Sequence, residues 1–598
     1  MKYYFLLLAL LGYHISRAQH QYKFVIKDDK THRAIPGATV AIPALNLVAA
    51  ADTAGNITLS NIPNGKFEVK FTSVGYFQQN KMLAFPATET IQSLQIFLEP
   101  QSGELAEVTV QTTRTNQNLR DIPTRVEALP QEELDEKGTM RPGDIKMLLG
   151  ESTGINVQQT SAVSGTANFR IQGLDSRYTQ LLQDGMPLYR GFSGGLSLMQ
   201  VSPLNLKQVE FIKGSASTLY GGGAIAGLVN LISKTPQAEP ELTFLLNQNT
   251  AKGLDVSNYY AQKWQHTGTT IFTTYNHSRT YAPGNTEFTA VPKTSRFGIN
   301  PKLFLYIDDK NKGWVGVNAT YENRRGGDME VLNGNTNAMH QYFEQNTSYR
   351  FSTQLSFTHI IDSASQLNIK NTVGYFDRRY TEPAYSFNAR QTSSYTEINY
   401  VYNGRHANWV LGGNAWTDYL SAQPPYQQLG YTLSTLGGFA QNTYKANSWF
   451  SIESGLRLDY NTPSADQSNG LILLPRINAL IKLNSNLTSR IGGLGYKMPT
   501  IFNDETEQQG YQYLQPLIIE QTKAEKSIGL NGDINYRAIL GDAVVNINQL
   551  FFYTRVNNPL VLMNNRFINA DGYLKTRGLE TNVKVIMDEL GIYGLYLY

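Results

Sequence analysis

The eight histidines of this chain, His14, His20, His32, His266, His277, His340, His359 and His406, form no H-x-x-x-H pair, and the chain has no cysteine. A zinc centre built from paired imidazoles or thiolates is therefore not written in the sequence. Neither a G-x-S-x-G elbow nor a P-loop is present. Gly221-Gly222-Gly223 with Gly227 has the outline of a dinucleotide loop, but a strand-like LVNLISK follows where that motif needs a long helix. The expectation is a protein that is not an enzyme and carries no cofactor and no metal of its own.

The chemistry that is written is recognition by charge. Between Asn168 and Lys234, the charges Arg170, Arg177, Asp184, Glu210 and Lys213 sit among short strand-like runs, Phe169–Gln172, Gln180–Gln183, Gln208–Lys213 and Gly227–Ser233. In a soluble domain such charges make a solvated face. Inside a polar lumen they pair with wall charges while the domain stays removable. Arg324-Arg325-Gly326-Gly327-Asp328-Met329-Glu330 reads as part of a long polar loop, Arg324–Gln345. Its arginine pair suits anionic chelates such as catecholates; an ordinary hydrated loop is the plainer reading. Upstream, Glu107-Val108-Thr109-Val110-Gln111 is a short apolar–polar alternation within a polar, linker-like Gln101–Asn118. An extended segment of this kind can add as a strand to the sheet edge of a partner.

The elements that must hold these residues are mostly β. Charged residues make up 17% of the 598-residue chain, aromatics 11%, and there are 36 Tyr, 26 Phe and 50 Gly. Low charge with many Tyr and Gly suits a large β structure with an aromatic girdle. A net charge of +3 gives no ground for a nucleic-acid partner. Lys2, the apolar Tyr3–Leu11 and Ser16-Arg17-Ala18 read as a cleaved secretory signal, residues 1–18. That run is short of the roughly 20 residues a membrane helix needs, and no later segment is apolar enough. Membrane residence would then require a closed β-barrel.

Residues 19–100 read as a small β-sandwich, with turns at Pro36-Gly37, Ala54-Gly55-Asn56 and Pro63-Asn64-Gly65 between alternating strands. The pattern from IPGATV to SVGY resembles the carboxypeptidase regulatory-like domain found at the N-terminus of many receptors of Bacteroidetes-type bacteria. Next come IPTRVEALPQEEL, DIKMLLGESTGINVQ, FRIQGLDSRYTQLLQDGMPLY and LNLKQVEFIKGSASTLYGGGAIAGLVNLISK. In order and spacing these are similar to the plug of TonB-dependent outer-membrane receptors, nearest the branch that takes up ferric siderophores and admits some colicins. The resemblance assigns residues 101–118 as a linker, 119–235 as the plug and 236–598 as the barrel. It implies that Glu107–Gln111 is a TonB box. It maps one plug motif onto Arg170, Gly173, Leu174, Asp175, Arg177 and Tyr178, and a second onto Glu210, Gly214, Tyr220 and Gly221. In the family the loop carrying Gly191, Gly194 and Gly195 projects upward and touches ligand, which makes Tyr189, Arg190 and Phe192 candidates; a structural turn is the alternative.

After Pro236, apolar and polar residues alternate in about 17 runs. In Trp449–Tyr460, Ile452, Leu456, Leu458 and Tyr460 share one face and Glu453, Arg457 and Asp459 the other. Leu579–Val585 alternates in the same way. Tight connections alternate with long polar ones, which in such barrels face the periplasm and the outside respectively. The family closes at 22 strands, so four or five strands, on the order of 100 residues, are expected to be missing by truncation at the C-terminal end. The implied function is TonB-dependent import of a ferric siderophore or similar metal chelate across the bacterial outer membrane. The implied partners are TonB with its inner-membrane energising complex, the chelate and outer-membrane lipid, with a monomeric barrel. Cobalamin, haem, a metal ion or an oligosaccharide are alternative cargoes. An adhesive or sensory β protein, or a passive porin, is the alternative class.

Overall fold

The computed structural model describes residues 22–598 apart from 30–32, 61, 74–75, 77, 86–93, 99–108, 116, 141, 197, 216, 463–469, 485–486, 541–542, 588–589 and 598. The signal segment and Glu107 and Val108 of the TonB-box candidate lie outside the described residues. The chain divides into two compact units, residues 1–107 and 108–598.

The first unit is a β-sandwich. Its strand Tyr22–Asp28 lies between Asn56–Leu59, antiparallel, and Leu94–Leu98, parallel. A second sheet runs Leu47–Ala50, Thr39–Ile42, Gly65–Thr72, Gln79–Phe85. The alternation in YKFVIKD turns Phe24 and Ile26 inward against Val40, Val69, Phe71 and Ile96, all buried.

The second unit opens with a small α+β domain. Its five-stranded sheet has the order Glu127–Leu129, Leu206–Lys213, Gly227–Ser233, Thr179–Gln183, Met186–Tyr189. Gly227–Ser233 lies in the middle and is buried along its whole length, which explains an apolar run in place of an alternating one. Glu132 and Glu133 sit in the first turn of helix Gln131–Met140, where the helix dipole favours negative charge. A second, shorter helix forms over Lys146–Gly150. The sequence Gln101–Asn118 also differs from a free tether over its described part. Thr109–Val110 pairs with Gln117–Asn118, Val110 is buried, and Thr112–Thr115 are buried in turn.

Around this domain runs one antiparallel sheet of seventeen strands, from Glu241–Gln248 to Leu590–Leu597, each paired with its neighbours in the sheet order. The burial pattern is inside-out. On Phe450–Thr462, Leu456, Leu458 and Tyr460 are about half exposed at 51%, 48% and 46%, whereas Glu453, Arg457 and Asp459 are buried. Leu579 and Glu580 divide in the same sense. An apolar outer face with charges inside is the arrangement lipid demands of a barrel wall. The strands run to 19 residues in Tyr385–Asn403, beyond the roughly 9–11 that cross a bilayer, so the wall extends past the membrane on the long-loop side. No helix among the described residues is long and apolar enough to cross a membrane.

The expected long loop at Arg324 is corrected. Strand Asn311–Gly327 continues through both arginines, because the Gly326 and Gly327 backbones pair with Glu344 and Phe343. The loop begins at Asp328.

Candidate functional site

The plug motifs are positioning devices. Asp175 accepts the Arg177 N–H at 2.9 Å and caps the short turn Ser176–Tyr178, which aims two side chains at the wall. Tyr178 donates its hydroxyl to Glu525 at 2.6 Å, and Arg177 lies 3.5 Å from the same carboxylate. At Gly214, φ is +87° and a Cβ would stand 1.6 Å from Asn531 Nδ2 of the wall, so only glycine fits. Gly221, at φ +68°, is packed against the Arg457 guanidinium in the same way.

The plug charges divide by partner. Lys213 is held 2.8 Å from both Glu127 and Glu580, and Asp184 lies 2.6 Å from Lys302. Arg170 reaches Asp175 at 3.9 Å and Asp504 at 4.0 Å. Glu210 does not reach the wall. Its two carboxylate oxygens accept the backbone N–H groups of Gln111 and Thr112, each at 2.8 Å. Two residues on, Arg114 makes a bidentate pair with Glu397 of the wall at 2.9 and 2.8 Å. It also donates to the Tyr220 hydroxyl at 2.6 Å, and that hydroxyl donates to the Thr112 carbonyl at 2.7 Å. Arg114 and its partner were not singled out in the sequence. They are 283 residues apart, and no local pattern marks such a pair.

On the long-loop side, plug and wall line a cavity, open to solvent, with about 820 Å³ of empty space. Arg177, Tyr189, Arg190, Phe192, Trp416 and Lys497 are among its lining residues. Phe192 is buried at the centre of an aromatic cluster, with ring centroids 5.2–5.7 Å from Phe376, Phe387, Phe502 and Tyr511. It packs the loop down, so its role is anchoring as much as lining. Arg190 stacks 4.4 Å over the Trp416 ring and lies 3.8 Å from Asp418. Of the three glycines read as turn formers, Gly191 alone has a positive φ. Gly195 instead lets the backbone approach Glu507 and Arg378.

The cations of this cavity are not all neutralised. Arg177 Nη2 is engaged, but its Nε and Nη1 are buried without a hydrogen-bond partner. Lys497 is 6% exposed, and its ammonium makes no hydrogen bond or ion pair among the described residues. Buried donors without acceptors are costly. The arginine pair lies elsewhere. Arg324 bonds Glu322 of the wall and donates to the Ser164 carbonyl of the plug at 3.0 Å, while Arg325 stacks 4.5 Å over Phe343. Neither lines the cavity.

Residues 118–228 match the family described as TonB-dependent Receptor Plug Domain. The chain therefore carries the plug domain of a TonB-dependent receptor. Residues 25–110 match the CarboxypepD_reg-like domain. Among solved structures, the chain is similar to the siderophore receptor PirA of Acinetobacter baumannii (16% identity, 79% of this chain and 80% of that one, TM-score 0.62). It is also similar to the ferric yersiniabactin uptake receptor FyuA of Yersinia pestis (16%, 79% and 78%, 0.59). A third likeness is to the Serratia marcescens hemophore receptor HasR, solved with its hemophore HasA and heme (13%, 80% and 82%, 0.64). At these identities the likeness is one of fold. The plug domain and the lipid-facing wall strands place the protein in the outer membrane.

Proposed function

We propose that this receptor imports a ferric siderophore or a similar anionic metal chelate by TonB-dependent active transport. The observation that carries the reading is the set of unneutralised donors, Lys497 and two nitrogens of Arg177, in the cavity between plug and long loops. A catecholate or carboxylate chelate supplies the missing acceptors, Trp416 and Tyr189 supply flat apolar contact, and the metal ion travels as part of the substrate. Cobalamin, haem or a neutral oligosaccharide would use the same fold, but a neutral sugar leaves these donors unmatched.

Transport needs a coupling segment, and Glu107–Gln111 fits that role as a TonB box pairing with TonB by strand addition. The proton-motive force of the inner membrane, delivered through TonB, pulls on this segment. Pulling meets first the carboxylate of Glu210, on plug strand Leu206–Lys213, and then the Arg114–Glu397 pair. The buried plug–wall ion pairs can be exchanged for water once the plug shifts, because both partners are charged and hydratable. The barrel acts as a monomer in this scheme. An adhesive or purely sensory role leaves the cation-lined cavity without a use, and a passive porin is at odds with a lumen filled by the plug.

The test is growth on a panel of chemically distinct iron chelates, comparing a strain that carries the receptor with its deletion mutant. The expectation is a growth defect confined to one class of anionic ferric chelate. Equal growth of the two strains on all of them would refute the siderophore reading.

A further inference from the structure

A second cavity, with about 330 Å³ of empty space, lies between plug and wall and is lined by Arg125, Lys213, Ser215, Arg476, Arg490 and Asp533, among others. Four cations therefore face one carboxylate. Lys213 is taken by Glu127 and Glu580, and Arg125 pairs with Glu127 and Asp533. Arg490 donates to Asp533 and to the carbonyls of Ile122 and Leu119. Arg476 is different. Its Nη2 donates to Thr124 Oγ1 at 3.2 Å and its Nη1 lies 3.9 Å from Glu453, but its Nε has no partner, although the side chain is 7% exposed. Asp533 Oδ1 and Asn531 Oδ1 at this cavity are likewise without a partner among the described residues, but four cations outnumber the one carboxylate, and that excess suits an anion.

The position of this cavity gives it meaning. Strand Leu487–Lys497 begins after a tight turn and ends at a long loop, so Arg490 lies toward the short-turn end and Lys497 at the opposite end. Seven residues at about 3.3 Å each separate them by roughly 23 Å. On a regular strand an odd spacing sends two side chains to opposite faces. Here the register against Glu525–Leu540 shifts between Gly492 and Leu494, and both cations meet the plug. One wall strand thus carries a cation into each cavity. Between the cavities the plug is thin in side chains and close to the wall. A Cβ on Gly495 would stand 3.0 Å from Ser215 Oγ, and one on Gly222 would stand 2.7 Å from the Tyr496 ring.

We propose that the second cavity is a transit subsite for anions. Arg476, with Arg490 beside it, receives the cargo leaving the Lys497 cavity when plug segment 214–223 moves off strand Leu487–Lys497. The assignment of cargo to this path rests on the transport reading above; the anion preference of the cavity does not.

The chain has no cysteine, so Ser215→Cys places a single thiol in this cavity in the full-length receptor. The experiment compares its reaction, in outer-membrane vesicles, with a sulfonate-bearing and a trimethylammonium-bearing methanethiosulfonate of similar size. The sulfonate is expected to react about tenfold faster or more, the scale on which a charged cleft concentrates counter-ions. Arg476→Gln in the same background should abolish most of that preference. Equal rates, a faster cation, no reaction with either reagent in the folded protein while the unfolded protein reacts, or a preference that survives Arg476→Gln would each overturn the proposal. Asn531→Cys, which lines the same cavity, serves as a second reporter should Ser215→Cys fail to fold. Neither reagent depends on TonB or on cargo, so a negative result leaves the transport reading standing.

Discussion

The carboxylate of Glu210 holds the backbone N–H groups of Gln111 and Thr112 at 2.8 Å each, one on each oxygen. A residue of the plug sheet is thus clamped to the last residue of the proposed TonB box and to the residue that follows it. Hydrogen bonds to a charged acceptor contribute roughly 1.5–3 kcal/mol each. Glu210→Ala removes both acceptors and should raise hydrogen exchange at Gln111 and Thr112 by at least about tenfold, one such bond being enough for that, while the plug strand Gly227–Ser233 stays protected. Unchanged exchange at the two amides would show that the clamp contributes nothing.

Lys213 sits between Glu127 and Glu580, with its own side chain and that of Glu580 fully buried. Removing one partner of a buried pair costs about 3–5 kcal/mol, whereas replacing both by apolar side chains is often near neutral. Glu580→Gln should therefore lower plug stability in denaturant by that amount. The pair Lys213→Met with Glu580→Leu should lose clearly less. Additive losses would contradict the assignment of Lys213–Glu580 as a coupled anchor.

Lys497→Gln removes a side chain whose ammonium has no hydrogen-bond or ion-pair partner among the described residues. It should leave folding intact and weaken binding of an anionic ferric catecholate about tenfold or more, about 1.4 kcal/mol. Trp416 lines the same cavity, so quenching of its fluorescence reads the affinity and Trp416→Phe removes the signal. An unchanged dissociation constant would place the ligand elsewhere.

At the base of the loop that follows strand Asn311–Gly327, His340 Nδ1 meets Asp328 Oδ2 at 2.7 Å. The hydrogen bond to Asp328 raises the imidazole from its ordinary value of 6.5. Burial of Asp328 works against ionisation, but the bond from His340 and the Glu330 N–H outweigh it and lower this carboxyl from 3.8. A raised histidine contributes stability that is complete below its unfolded value and lost as pH climbs through the folded one. A lowered carboxyl contributes stability that is lost as pH falls through its folded value. The loop should therefore be most protected between about pH 4 and 6.5 and loosen toward pH 8. Hydrogen exchange over residues 329–342, corrected for intrinsic rates, checks this, and His340→Asn should flatten the profile.

Much of the fold was legible because its signals are local. The alternation of Leu456, Leu458 and Tyr460 with Arg457 and Asp459 states which face meets lipid. The lumen was not legible. Arg114 with Glu397, Lys213 with Glu580 and Arg177 with Glu525 are pairs made by topology, and polar alternation says only that a residue faces inward. Two stretches misled for a physical reason. The polar, small-residue run after Gln111 looks like a tether, yet its backbone groups find partners on Glu210. Arg324-Arg325-Gly326-Gly327 looks like a turn, yet its glycines pair in the sheet. Lys497 stands out only once it is seen that no described residue hydrogen-bonds or ion-pairs with its ammonium.

The most direct test of TonB-driven transport is removal of Glu107–Gln111 from the full-length receptor, with uptake and surface binding of the same radiolabelled ferric chelate measured side by side. The account predicts that binding persists while uptake falls to the level of a strain lacking TonB. Uptake that continues at the wild-type rate without those five residues would contradict it.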